Sequence, residues 1–280
     1  MFRHRRIRAG IAIFVLVAGL LVESPLFPYI RSLIVMRIYS AQCEKSGIPR
    51  ECGFRIRIPG GNATKETDWY PFVMSFSDHA GFSNYIGKPG TKLTILYNFP
   101  AFSFKTGASR LFEPESLYYN SFYGAYIIKL PDGGAYGMKD DGTVDADAVE
   151  CIAAFDYSKL VLSDFGLSSK DFICEASKEV QEKDATMAGI DGWTKLSADL
   201  TVSGAAHNRS GFVTSYLQYG SPKGSVEEAF APVSMKSEVF ARYFPEYDVT
   251  IFFYVMARTD SVAKTCEEQI LSKSSITDGR

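Results

Sequence analysis

The stretch "DVTIFFYVMA", Asp248–Ala257, decides the fold. From Val249 onward it is apolar at odd and even positions alike, so neither face suits water. A short run of this kind reads as a central strand covered on both sides. A sheet must therefore surround it, and the rest of the chain supplies further strands. "FRIRI" (54–58) sets Phe54, Ile56 and Ile58 on one side and Arg55 and Arg57 on the other, the alternation of a half-buried strand. "YPFVMSF" (70–76) and "TKLTILYN" (91–98) read as strands with a turn at Gly87-Lys88-Pro89-Gly90 between them. "YGAYIIKLPDGGAYGMKDDGTV" (123–144) reads as a hairpin folded at Pro131-Asp132-Gly133-Gly134, with a second turn at Asp140-Asp141-Gly142. "SGFVTSYLQYG" (210–220) adds another strand.

Three segments carry a helical period instead. Lys170–Lys183 places Ile173, Ala176 and Val180 on one face, behind a capping box of Ser168 and Asp171. "SMKSEVFARYF" (234–244) predicts a helix stopped before Pro245. "TDSVAKTCEEQILSK" (259–273) predicts a helix capped by Asp260 or Ser261. The fold class expected is α+β, a mainly antiparallel sheet with several packed helices. Its possible halves are a strand-rich 43–165 and a mixed 166–280.

Ahead of this body lies "RAGIAIFVLVAGLLVESP" (8–25). Its uncharged run, Ala9–Val22, would make a helix of about 21 Å, short of a bilayer core of about 30 Å. Arg8 to Arg31 can bracket a full span, with Glu23 near the far interface and Tyr29 at the headgroups. Arg3, Arg5, Arg6 and Arg8 precede the run, and basic residues resist translocation. The sequence thus predicts a cytoplasmic basic tail (1–8) and a transmembrane signal anchor (9–30). A juxtamembrane helix or stalk (31–42) follows, with Ile30, Leu33, Ile34 and Ile38 on one face, and then an extracytoplasmic domain (43–280). The location expected is the inner membrane, single-pass, with the bulk periplasmic. A cleaved signal peptide is the alternative. Val22 and Ser24 meet its small-residue requirement, but Pro25 disfavours the cut. A buried soluble helix would explain the hydrophobicity but not the arginines.

Of 30 Lys+Arg and 32 Asp+Glu, six and one fall in residues 1–40, which leaves the remainder at net −7. That charge argues against nucleic acid and is compatible with another protein of basic surface as partner. All five cysteines follow the hydrophobic run, as suits an oxidising compartment. Cys43 and Cys52 flank a turn-rich loop and Cys151 can pair with Cys174. Cys266, at helical spacing with Val262 and Ile270, is then the buried thiol left over. No C-x-x-C pair occurs and the three histidines are scattered, so no metal or other cofactor is expected.

Catalytic patterns are thin. "GFSNYIGKPGT" (81–91) is one residue too long for a phosphate loop and has Pro89 where Ser or Thr would hold magnesium. No G-x-S-x-G occurs. "DDGTVDADAVE" (140–150) is oxygen-rich as calcium loops are, but its glycine and glutamate are not at EF-hand offsets, and a solvated turn is the better account. Two candidates for hydrolysis stay open: His79 with Asp78, a base beside an orienting carboxylate, and Ser261 with Lys264, an S-x-x-K match. For both, a structural role is the plainer reading.

"LYYNSFYGAY" (117–126) gathers Tyr118, Tyr119, Tyr123 and Tyr126 on both parities. Either one face is exposed for contact with a partner, or both are covered by neighbouring structure. The function expected is non-enzymatic protein binding, in concrete form an inhibitor or immunity protein that occludes a toxin. The alternatives are an envelope hydrolase, or a structural subunit of a membrane complex with Leu33, Ile34 and Ile38 against a neighbour.

Overall fold

The computed structural model describes residues 2–23, 26–61, 68–103, 108–157, 173–204, 209–210, 221–222 and 231–279. Three helices lead the chain: α1 (Phe2–Glu23), α2 (Leu26–Cys43) and α3 (Ile48–Cys52). Then come β1 (Phe54–Arg57), β2 (Met74–Ser77), α4 (His79–Tyr85) and β3 (Lys92–Asn98). A short ladder of β4 (Phe102–Ser103) and β5 (Ala108–Ser109) precedes β6 (Phe122–Lys129) and α5 (Ala146–Phe155). Long strands β7 (Cys174–Met187) and β8 (Ile190–Ser203) follow, then the small pair β9 (Arg209–Ser210) and β10 (Ser221–Pro222). The chain closes with β11 (Pro232–Phe244), β12 (Val249–Ala257), α6 (Asp260–Gln269) and β13 (Ser275–Asp278). The class is α+β, with antiparallel pairing throughout.

The main sheet has seven strands in the order β2-β3-β6-β12-β11-β8-β7. Every residue of β12 is buried, as its two-sided apolar pattern demands. Phe252, Tyr254 and Met256 enter one core layer with Phe82 of α4 and Ile152 and Phe155 of α5. Ile251, Phe253 and Val255 enter the other, with Ile48 of α3, Phe54 of β1, and Val262 and Cys266 of α6. Fully burying each such side chain contributes roughly 1.5–3 kcal/mol. Strands from both expected halves join in this one sheet, through the pairing of β6 with β12.

Several expectations are corrected. "SMKSEVFARYF" is β11, not a helix, because it is paired along its length with β8 and β12. Its apolar residues fit either period, and the two flanking strands decide. Residues 174–183 of the expected helix at 170–183 belong to β7, which pairs with β8. Val180 there is 65% exposed instead of buried. Residues 170–172 and the Ser168–Asp171 capping box lie outside the described residues, as do 211–220 of "SGFVTSYLQYG". The run after Pro131–Gly134 forms no hairpin strand: it holds one bridge, Met138 to Val144, while β6 pairs with β3 and β12 instead. The cap of α6 is Thr259, whose hydroxyl accepts from the Val262 amide at 3.3 Å, one residue before the expected pair.

The two sheet edges are protected differently. The β7 edge is charged and irregular, with three register shifts and positive φ at Lys178 and Asp184. The β2 edge is covered by α2, which turns Met36 and Ser40 inward. The Ser75 amide donates to Ser40 Oγ at 2.9 Å, and that hydroxyl donates to Glu44 Oε1 at 3.3 Å. The Ser77 amide meets the Cys43 sulfur one helical turn on.

Gly124 in β6 faces Tyr97, and a Cβ there would run into the Leu96 carbonyl oxygen of β3. Because that obstacle is backbone in mid-sheet, Gly124→Ala should cost about 1–3 kcal/mol, read as a lower urea midpoint.

The segment before the domain has a different surface. Ile11, Ile13, Phe14, Val15, Leu16, Val17 and Leu20 of α1 are 47–73% exposed. On α2, Ile30, Ile34 and Ile38 are exposed as well, while Leu33 packs partly against the core. No described helix is long and apolar enough to cross a membrane.

Candidate functional site

Asp78 and His79 sit where β2 ends and α4 begins. Asp78 is the N-cap, its carboxylate accepting from the Gly81 amide at 2.8 Å. The His79 ring is held by backbone on both sides. Nδ1 accepts from the Leu93 amide at 3.2 Å, so Nε2 carries the proton that is donated to Ser46 C=O, also at 3.2 Å. Neither nitrogen is turned to Asp78. The residues work as a helix cap and a tie between α4, β3 and the turn after α2. His79→Ala strands the Leu93 amide and should cost about 1–3 kcal/mol in urea unfolding.

Ser261 and Lys264 are also kept apart. Ser261 lines a cavity of about 440 Å³ with Asp68, Arg110, Tyr118 and Thr265. Lys264 does not line it; its ammonium lies 3.8 Å from Glu268, one turn on, with 73% of its side chain exposed. In that cavity Asp68 is taken up by Arg110 and by the Tyr118 hydroxyl. No serine with an adjacent base results.

The tyrosine face is a correction. Tyr118, Tyr119, Tyr123 and Tyr126 are each 8% exposed or less, because core structure covers both faces of β6 and of the turn before it. Tyr123 donates to the Pro59 carbonyl at 2.9 Å and stands edge-on to Trp69. Tyr126 stacks on Tyr254 with ring centroids 4.1 Å apart.

The Cys43–Cys52 and Cys151–Cys174 bridges are absent. Cys43 meets Ser77, while Cys52 accepts from the Lys129 ammonium at 3.6 Å. Cys151 and Cys174 lie on the packed elements α5 and β7, and burial pushes the Cys174 thiol up to about 12. Among the described residues no three His, Cys, Asp or Glu side chains gather as a metal would require.

Two features went unnoticed in the sequence. One is Asp156, at the end of α5. It is 1% exposed, accepts from the Tyr126 hydroxyl at 2.9 Å through Oδ2, and among the described residues has no partner for Oδ1. Burial raises its carboxyl to about 7, the Tyr126 hydrogen bond opposing that only in part. Nothing in "AAFDY" marks such an acid.

The other is a cavity of about 710 Å³ bordered by Gly53 to Arg57, with Glu44, Arg50, Ser75 and Leu96. The alternation of "FRIRI" shows Arg55 and Arg57 on one face, which is half of this site; the remainder comes from α3 and the main sheet.

Comparison with protein-family models, with curated proteins and with solved structures finds no match for this chain.

Proposed function

We propose that this chain is a membrane-attached protein whose α+β domain binds another protein on the extracytoplasmic side, as an inhibitor that occludes its target would. The observation that carries the reading is α1, whose large apolar side chains are exposed on all sides from Ile11 to Leu20. A patch of this extent on one helix calls for a cover of lipid or protein. The uncharged run is short for a span, but arginine side chains at its start can reach the headgroups, and bilayers thin locally to meet a short segment. Arg3, Arg5, Arg6 and Arg8 favour an inward amino terminus.

The net charge of −7 on the remainder suits a target with a basic cleft. A reporter that works only outside the cytosol, fused after Arg280, should be active, and full-length protein purified from envelopes should retain a stoichiometric protein partner. Reporter activity confined to the cytosol overturns the topology. Absence of any stoichiometric partner overturns the binding role.

The exposed Ile30, Ile34 and Ile38 favour a second reading, a subunit of a membrane complex held through α2. That arrangement would show as an assembly of fixed stoichiometry that Ile34→Arg disperses.

A further inference from the structure

Among the described residues β1 pairs with β13 alone, which leaves its other edge unused. The Gly279 amide donates to Gly53 C=O at 2.8 Å, and these two residues continue the register that sets Phe54 opposite Asp278. Alternation in an antiparallel pair then turns the backbone groups of Arg55 and Arg57 toward β13, and those of Phe54 and Ile56 away from it. No other strand pairs with β1 among the described residues. The 710 Å³ cavity borders this strand, since residues of both parities from Gly53 to Arg57 line it.

The charges there are unbalanced. Arg55 and Arg57 are exposed, and their opposite numbers on β13 are the neutral Thr277 and Ser275. Arg50 brings a third guanidinium to the lining. Among the described residues none of the three lies in an ion pair. Among the described residues Glu44 is the one acidic residue of the lining, and it accepts from Ser40.

We infer that this edge takes up an extended acidic segment of another protein, which adds a third strand beside β1 and sets carboxylates opposite Arg55 and Arg57. Residues directly opposite on neighbouring strands lie about 4.5–5.5 Å apart, close enough for such pairs. Arg55 and Arg57 are two residues apart, about 6.8 Å along a strand, so the segment carries acidic residues at the same interval. The residue between them turns to the other face, where Ile56 and Leu96 offer an apolar surface. An isolated phosphate would use the arginines but leave the outward row of amides and carbonyls unmatched, whereas a strand satisfies both. The inference rests on the protein-binding reading and names the chemistry of one bound segment, acidic at this local basic edge although the domain's net charge suits a basic cleft elsewhere on the target. It makes no use of the membrane attachment.

The test is a fluorescence-anisotropy titration of the full chain in detergent with the labelled peptide acetyl-AEVEVA-amide. Saturable binding is expected, with affinity falling roughly tenfold (about 1.4 kcal/mol) in Arg55→Gln and again in Arg57→Gln. N-methylation of the central valine should abolish binding, and inorganic phosphate should not compete. Arg57→Glu should shift preference toward acetyl-AKVKVA-amide, an effect that mere loss of folding cannot produce. Absence of saturable binding by the parent protein overturns the inference. So does equal binding of the N-methylated peptide, or displacement by phosphate, either of which marks a simple anion site. Since the peptide is supplied directly, failure of the topology or partner experiments leaves this titration unaffected.

Discussion

Asp156→Asn should flatten the fall in stability between pH 4 and pH 7 and make the protein more stable than its parent at pH 8. In the folded chain the buried carboxyl holds its proton up to about 7, whereas unfolded it releases it near 3.8. Over that window the folded state binds the extra proton, so stability is highest in acid and declines as pH rises, levelling off above about 7. That window, at about 1.4 kcal/mol for each pH unit, is worth on the order of 4 kcal/mol. The position at the end of α5 adds to the cost, because an anion there faces the negative end of the helix. Asparagine keeps an acceptor for Tyr126 and cannot ionise. Urea midpoints of parent and variant at pH 4.5, 6 and 8 check this through their difference, which cancels the other titrating groups. Parallel curves would mean that Asp156 ionises in the fold as it does outside.

On the proposed attachment through α1, Val15→Arg combined with Leu16→Arg should release the protein from the membrane fraction. Each arginine placed at the centre of a lipid-buried helix costs about 2.5–3.5 kcal/mol, so the pair removes on the order of 6 kcal/mol of attachment. Both side chains are more than 60% exposed, so the domain itself should unfold at an unchanged urea concentration. Carbonate washing followed by immunoblotting reads the first effect, and circular dichroism in urea the second. Full retention in the washed membranes would remove α1 as the point of attachment. A drop in the urea midpoint would mean instead that α1 packs on the domain.

What the sequence revealed depends on how far each signal reaches. β12 and β1 were legible because burial on both faces, or on one, writes a period of its own, and β3 was legible for similar reasons. β7 and β11 were misread because their apolar residues suit helix and strand equally. Only pairing chooses between them: β7 with its hairpin neighbour β8, and β11 with its neighbour β12 and with β8 far back in the chain. The turn joining β7 to β8 was hidden because Ala188 takes the left-handed position that glycine or asparagine usually announces. The candidate site was half visible: Arg55 and Arg57 share a face by alternation alone. Arg50, Ser75 and Leu96 reach the same cavity through folding and left no local mark. The pairs Asp78–His79 and Ser261–Lys264 were close in the sequence, but helix starts direct Asp78 and His79 to backbone, and set Ser261 in a cavity that Lys264, out in solvent, does not line.

The seam between α2 and the rim strand β2 has a mechanical meaning. A helix stitched to β2 through Ser40 and Cys43 gives no slack between whatever holds the amino-terminal segment and the folded body. Tension drawn through it is shared between the rim and the next strand in, because the chain runs on from α2 to Ile48, whose amide donates to Thr94 Oγ1 of β3 at 3.0 Å. A tug on the amino-terminal segment is thus delivered to one side of the sheet, at β2 and β3, and not to β12 at its centre.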